Sequence, residues 1–267
     1  MHLVVCIKQI LDPEIPPSDF RLDISGQGPA EGIAPQVISI FDENALEVAL
    51  QVREVAGEGK ITALSIGTES AVDALRKALS MRVDDAFLIR QADFPILDTF
   101  GAARILAAAV GKLPPADLVL CGRESGDWYG GQVPAFLAAQ LDWPYTALVA
   151  GIQRKAGEWR LRRQFDDGWE TIACSAPAVV SVTNDAHNLP RIPKVRDNML
   201  AFRKTIPVWT AADLGLTSEA GCGPNTSLKA ERLYIPTVSR QCQMITGDSL
   251  VQRANELVEK LAGLRVI

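Results

Sequence analysis

Over its first two-thirds the chain alternates short, unbroken apolar runs with segments whose apolar residues recur every third or fourth position. Leu3 to Ile7, Ile61 to Ile66, Ala86 to Ile89 and Asp117 to Cys121 are runs of the first kind. A strand apolar on successive residues is covered on both faces, whereas a half-exposed strand alternates. Between these runs, Ala45, Val48, Ala49, Val52, Val55 and Ala56 form one helical stripe, which Asp42 is placed to cap and Gly57 to stop. Val72, Leu75 and Leu79 mark a second helix behind a Thr68 cap. An Ala-rich stretch from Ile96 to Leu113 reads as a third, and Gln132 to Leu141 as a fourth. Strand–helix units at this spacing predict an α/β fold, a doubly wound and mostly parallel sheet with helices on both faces.

After Pro144 the pattern changes. Trp159 to Phe165 and Trp169 to Cys174 alternate around Asp166-Asp167-Gly168, which predicts an antiparallel hairpin added to the sheet. Ala178 to Val182 is a further buried strand. Residues 184–205 carry Pro190 and Pro193 and read as an exposed loop leading into a short helix. Gly215, Gly221, Gly223 and Pro224 sit among serines and threonines, so a linker is expected over 215–228. Leu250, Ala254, Leu257, Val258 and Leu261 give a final helix one apolar face, free to pack on its own domain or on another chain. The expected organisation is an α/β domain over 1–214, then a linker and C-terminal helical arm over 215–267.

Composition narrows the function. A net charge of -5 is wrong for sequence-independent nucleic-acid binding, which needs a dense Lys/Arg footprint. No apolar run approaches the roughly 20 residues of a membrane span. No targeting segment is seen at the N-terminus, so a cytoplasmic location is expected. The five cysteines are scattered and read as small buried hydrophobes in a reducing compartment, and two histidines give a metal site little to build on.

Open parallel sheets bind ligands at the carboxyl ends of their strands, which directs attention to the segments after Cys6, Ile66 and Cys121. Gly122-Arg123-Glu124-Ser125-Gly126-Asp127-Trp128-Tyr129-Gly130-Gly131-Gln132-Val133 is the most informative of these. It joins a buried strand to a helix, with glycines that admit close backbone approach and a helix start that favours phosphate. Ser125 and Gln132 add neutral donors. The loop is either a nucleotide site or a plain Gly-rich connection, and its spacing is neither GxGxxG nor a Walker A motif. Ser39-Ile40-Phe41-Asp42-Glu43 begins a helix, with Asp42 serving as an ordinary cap or contacting a nucleotide. Asp166, Asp167 and Glu170 fit turn chemistry. Lys194, Arg196, Arg203 and Lys204 form either a solvated basic face or a docking surface for an acidic partner. No catalytic set and no metal-ligand spacing emerges, which argues against an independent enzyme.

Taken together, these segments resemble the electron transfer flavoprotein β-subunit (FixA-like) family over nearly the whole chain. The resemblance is carried by Val4-Val5-Cys6-Ile7-Lys8-Gln9, by Phe41-Asp42-Glu43-Asn44-Ala45, and above all by Arg163-x-x-Asp166-Asp167-Gly168-x-Glu170-x-Ile172, continued by Pro177-x-Val179-Val180-Ser181. It implies a Rossmann-like, adenine-nucleotide-binding fold that is no enzyme but part of an electron carrier. It also implies a heterodimer with an α subunit that carries most of the contacts to FAD, and a bound AMP, or a second FAD, in this subunit. Nucleotide contacts would involve Cys6, Ser39, Phe41, Asp42, Ile66, Gly122, Arg123, Glu124, Ser125, Gly126, Asp127, Gly130, Gly131, Gln132 and Val133. Flavin-dependent dehydrogenases such as acyl-CoA dehydrogenases would dock through Arg191, Lys194, Val195, Arg196 and Met199. A quinone oxidoreductase or another acceptor would take the electrons. The sequence leaves the family pattern at Leu161, at Gly130 where Thr is common, and at Val195-Arg196 where Leu-Pro is common. The alternative is a free-standing adenine-nucleotide-binding protein of the universal-stress type.

Overall fold

A computed structural model describes residues 1–25, 28–93, 98–155, 157–216, 233–236 and 242–267. In chain order its elements are β1 (His2–Cys6), β2 (Gln9–Leu11), β3 (Gln36–Ile38), α1 (Ile40–Ala56), β4 (Lys60–Gly67), α2 (Ala71–Ser80), β5 (Asp85–Arg90), α3 (Thr99–Lys112), β6 (Leu118–Gly122) and α4 (Val133–Leu141). They continue with β7 (Tyr145–Lys155), β8 (Glu158–Phe165), β9 (Gly168–Cys174), β10 (Ala178–Val182), α5 (Val195–Arg203), β11 (Val208–Trp209) and α6 (Leu250–Gly263).

Nine strands form one sheet in the order β11-β5-β4-β1-β6-β10-β7-β8-β9. All pairs from β11 to β7 are parallel; β7–β8 and β8–β9 are antiparallel. The period-two pleat divides β1 between two cores. Leu3 and Val5 pack with Ala45, Leu46, Ala49, Leu75 and Ala78 of α1 and α2, while Val4 and Cys6 pack with Ala103, Leu106, Leu137 and Ala138 of α3 and α4. Burying each large side chain such as Leu46 contributes about 1.5–3 kcal/mol. The buried strands and the helices on both faces therefore match the predicted doubly wound sheet.

Several boundaries differ from expectation for identifiable reasons. Helix α1 starts at Ile40, two residues before Asp42. Ser39 is its N-cap, and the Asp42 and Glu43 N–H groups already donate to the Ser39 carbonyl. Its other end is as expected, with Gly57 left-handed at φ 75° and its N–H closing on the Arg53 carbonyl. Thr68 does not cap α2; Ser70 holds that position, and the Thr68 hydroxyl meets the Ser70 hydroxyl at 2.9 Å. The proposed start of the third helix at Ile96 lies outside the described residues; α3 begins at Thr99, with Asp98 accepting the Gly101 N–H.

The predicted hairpin is β8–β9, with Phe165 opposite Gly168 and Asp166-Asp167 in the turn. It is extended by a third strand, β7, which the sequence does not announce. Leu148 sits at φ 57°, and register shifts near Val149 break the two-residue period that would reveal it. Trp159, fully buried, hydrogen-bonds through its ring N–H to the Asp117 carbonyl at 3.2 Å and ties this extension to the parallel part. The linker over 215–228 falls almost wholly outside the described residues.

Candidate functional site

Strands β4 and β5 lie on one side of β1, and β6, β10 and β7 on the other. The winding thus reverses between β1 and β6, whose carboxyl ends open a crevice at Cys6–Lys8 and Gly122. The first turn of α1 sits against that crevice and supplies its most constrained group. The Asp42 carboxylate accepts the Lys8 N–H at 2.8 Å on one oxygen and the Gly122 N–H at 2.9 Å on the other. One buried side chain therefore clamps the ends of both strands. Burial pushes the Asp42 pKa up to about 7, against the opposing pull of these two N–H groups and of the Lys8 charge.

Gly122 is there because nothing larger fits. A Cβ on it would lie 2.5 Å from Asp42 Oδ1 and 2.8 Å from the Phe41 carbonyl carbon. Over the Phe41 ring lies the Arg123 guanidinium, 4.3 Å from the centroid, and Arg123 also meets Glu124. The Ser39 hydroxyl accepts the Gly126 N–H at 3.2 Å, so the N-cap of α1 holds the loop after β6 instead of its own helix. Ser39, Phe41 and Asp42 and residues Gly122 to Gly126 are thus brought together, and Asp42 holds strand ends instead of capping the helix.

Asp127 closes the other side. Its Oδ2 meets Lys8 Nζ at 2.6 Å, and its Oδ1 accepts the Trp128 N–H at 2.9 Å. Burial disfavours its charge, but hydrogen bonds from Lys8 and Ser125 prevail and hold the carboxyl below its ordinary range. Gly130, Gly131 and Gln132 are exposed, Gln132 Oε1 accepts from the Thr99 hydroxyl at 2.9 Å, and Val133 begins α4. Val133 opens the first turn of α4 with Pro134 behind it, a proline where a helix start has no intrahelical use for an N–H. Ile66 lies one residue before the end of β4, past its last pair with β1 and opposite Ile89 of β5, half-buried against the α3/α4 core.

Cys6 and Cys121 adjoin on neighbouring strands. The hydrogen bond from Cys6 and then burial push the Cys121 thiol well above its ordinary range, so it is packing and not a nucleophile. Among the described residues no group of three His, Cys, Asp or Glu is placed to hold a metal, and no helix is long and apolar enough to cross a membrane.

Lys8 and Thr99 belong to this site and were missed in the sequence reading. Lys8 carried a usable signal: a cation directly after a fully buried strand, where a solvated position or a partner is required.

The segment 184–205 is less exposed than its polarity implies. Asn188 is fully buried and donates to the Ala150 and Thr183 carbonyls, and Asn44 of α1 donates to it. Arg191, expected to face a partner, instead grips α1, pairing with Glu47 at 2.8 Å and with Glu54. Burial would raise the Glu47 pKa, but Arg191 outweighs it and holds the carboxyl low. Past this anchor, Lys194, Val195, Arg196 and Met199 are exposed, as are Ile192 and Phe202. Arg76 of α2 holds α5 from below through the Ala201 and Lys204 carbonyls.

Comparison with known proteins agrees with this architecture. A family model described as the electron transfer flavoprotein domain matches residues 30–214. Over the full length of both chains, the sequence is 31% identical to the caffeyl-CoA reductase-Etf complex subunit CarD of Acetobacterium woodii. Identity is likewise 31% over the full length of the electron transfer flavoprotein subunit beta of Thermoanaerobacterium thermosaccharolyticum. With the Mycobacterium leprae subunit of that name it is 36%, covering 80% of this chain and 81% of the relative.

Proposed function

Because the chain belongs to the electron transfer flavoprotein β-subunit family, and so is part of an electron carrier and not an enzyme, we propose that it binds an adenine nucleotide in the crevice between β1 and β6 and so holds the FAD-bearing α subunit in working order. The observation that carries this reading is Asp42, which fixes the ends of β1 and β6 at the point where the winding of the sheet reverses. AMP, or a second FAD, would place its phosphate at the start of α4, near Gly131, Gln132 and Val133, with Ser125 as a side-chain donor. FAD bound with the α subunit supplies the electron-carrying chemistry. This chain's residues bind and orient.

Two surfaces support the expected partners. The apolar stripe of α6, on which Leu250, Leu257 and Val258 are exposed among the described residues, is the surface we assign to the α subunit, as part of the arm over 215–267. The exposed Ile192, Val195, Met199 and Phe202, on a segment anchored by Arg191, form the surface we assign to flavin dehydrogenases such as acyl-CoA dehydrogenases. A quinone oxidoreductase or another acceptor receives the electrons. The name of the Acetobacterium woodii relative, a subunit of a caffeyl-CoA reductase complex, is consistent with a partner acting on acyl thioesters.

The test is mass spectrometry of nucleotide released by denaturing the complex purified with its α subunit. AMP, or FAD in excess of one per heterodimer, supports the proposal. A complex that releases a single FAD and no other nucleotide refutes it.

A further inference from the structure

We propose that Thr99 of α3 is a positioning residue for the nucleotide: its hydroxyl holds the Gln132 side chain at the start of α4 so that the amide N–H groups are kept free for the ligand. The inference rests on the reading of the crevice as a nucleotide site, and it adds to that site a group from outside the loop after β6. The Thr99 hydroxyl donates to Gln132 Oε1 at 2.9 Å. Gln132 is the N-cap of α4, yet its side chain makes no capping bond to that helix. A primary amide carries an acceptor oxygen and two N–H donors on opposite sides of its carbon. With the oxygen held by Thr99, the donors lie on the side away from α3, and among the described residues they have no acceptor.

Both ends of this contact are fixed by their own elements. Asp98 caps α3 by accepting the Gly101 N–H at 2.7 Å, which sets Thr99 as the first residue of the helix. The next residue, Phe100, meets Phe136 of α4 edge-on, with ring centroids 5.5 Å apart and planes at 88°. Phe136 lies one turn beyond Gln132 and donates its N–H to the Gln132 carbonyl at 3.0 Å. The polar pair and the aromatic pair therefore join the same two helix starts side by side. Gly130 permits the approach: a Cβ there would already lie 3.4 Å from Thr99 Cγ2, and a longer side chain would press Thr99 away from Gln132.

The consequence is preorganisation. Gln132 is exposed, and a loose glutamine there would sample many rotamers and lose them when a ligand arrives. A side chain already held in one arrangement meets that cost before binding, so the gain appears as affinity. The net worth of one neutral hydrogen bond corresponds to about three- to tenfold in binding. Thr99 thus acts through Gln132 and touches no ligand itself.

The experiment uses the heterodimer with its α site saturated by FAD and its β site freed of nucleotide. AMP, and in a parallel series further FAD, is titrated calorimetrically into wild type, Thr99→Val, Thr99→Ser, Gln132→Met and the double variant Thr99→Val/Gln132→Met. Valine keeps the shape of threonine without its hydroxyl, and melting temperatures check that each variant is folded. For whichever nucleotide wild type binds more tightly, Thr99→Val is expected to weaken binding by about three- to tenfold and Thr99→Ser to stay within about twofold of wild type. Once Gln132→Met is present, Thr99→Val is expected to have no further effect. Unchanged affinity in Thr99→Val, a loss that serine does not restore, or a loss that persists in full beside Gln132→Met would overturn the inference. Wild type that binds neither nucleotide sinks the nucleotide-site reading itself, an outcome distinct from those.

Discussion

Asp42→Asn isolates the electrostatics of the crevice. In the folded chain the Asp42 carboxyl keeps its proton up to about pH 7, whereas in the unfolded chain it releases it near 3.8. Between those values the unfolded state loses a proton that the folded state retains, so this group's contribution to stability falls as pH rises. The cost is absent below about pH 4 and reaches about 4 kcal/mol above pH 7. Between about pH 5 and about pH 7.5 it integrates to ~2.5 kcal/mol. Asparagine does not titrate, and its single carbonyl replaces only one of the two acceptors now serving Lys8 and Gly122. The unpaired N–H costs ~1–3 kcal/mol at every pH. The variant is therefore expected to be less stable than wild type near pH 5 and to recover by ~2.5 kcal/mol relative to it near pH 7.5. Urea unfolding of both proteins at the two pH values measures this. Parallel pH profiles for the two proteins would refute the assignment of a buried, late-titrating carboxyl at the crevice.

Gly122→Ala places a methyl against backbone and is expected to lower stability by ~1–3 kcal/mol and to reduce the nucleotide recovered with the purified complex, read by thermal melting and by mass spectrometry. Arg191→Ala removes both ion pairs to α1 and leaves Glu47 buried without its cation, for a loss of about 2–3 kcal/mol. Limited trypsin digestion should then cut faster after Lys194 and Arg196, and an unchanged rate would show that the anchor does not order the segment. Because Arg191 holds the Glu47 pKa low, its contribution is present above the ordinary carboxylate range and is lost as pH falls, so the variant gap should narrow in acid, as denaturation midpoints would reveal. Truncation before Ser249 removes α6, none of whose residues is fully buried among the described residues. The melting temperature of the isolated chain should stay within a degree or two while the heterodimer dissociates on gel filtration, and a large fall in the chain's own melting point would place the helix on its own domain.

The elements legible in the sequence were those whose local pattern and tertiary role agree. The run Leu3–Ile7 is apolar on every residue because both faces of β1 are covered, and the stripe on α1 follows from its single buried face. Strand β7 was illegible because Leu148 breaks its period, and β2, β3 and β11, of two or three residues each, are too short to show one. At the site, residue identity pointed to the loop after β6, but not to what Asp42 does there. A carboxylate near a helix start reads as a cap, and only the strand order brings Lys8 and Gly122 within its reach. Arg191 misled in the opposite direction: a basic residue among prolines reads as exposed, and its acidic partners lie well over a hundred positions away in the chain.

Helix α1 begins at the crevice between β1 and β6 and carries, farther along, the two carboxylates that Arg191 grips. Twelve residues separate Asp42 from Glu54, about 18 Å of axis. The helix is thus a beam with one end seated on the loop after β6 and the other bolted to the segment that leads to α5. A tilt of roughly five degrees about the crevice end would displace the far end by ~1.6 Å, comparable to the helix shifts by which subunit interfaces repack. Any displacement of the crevice end of α1 would therefore be felt at residues 191–203, and Arg191 is the contact through which it would pass.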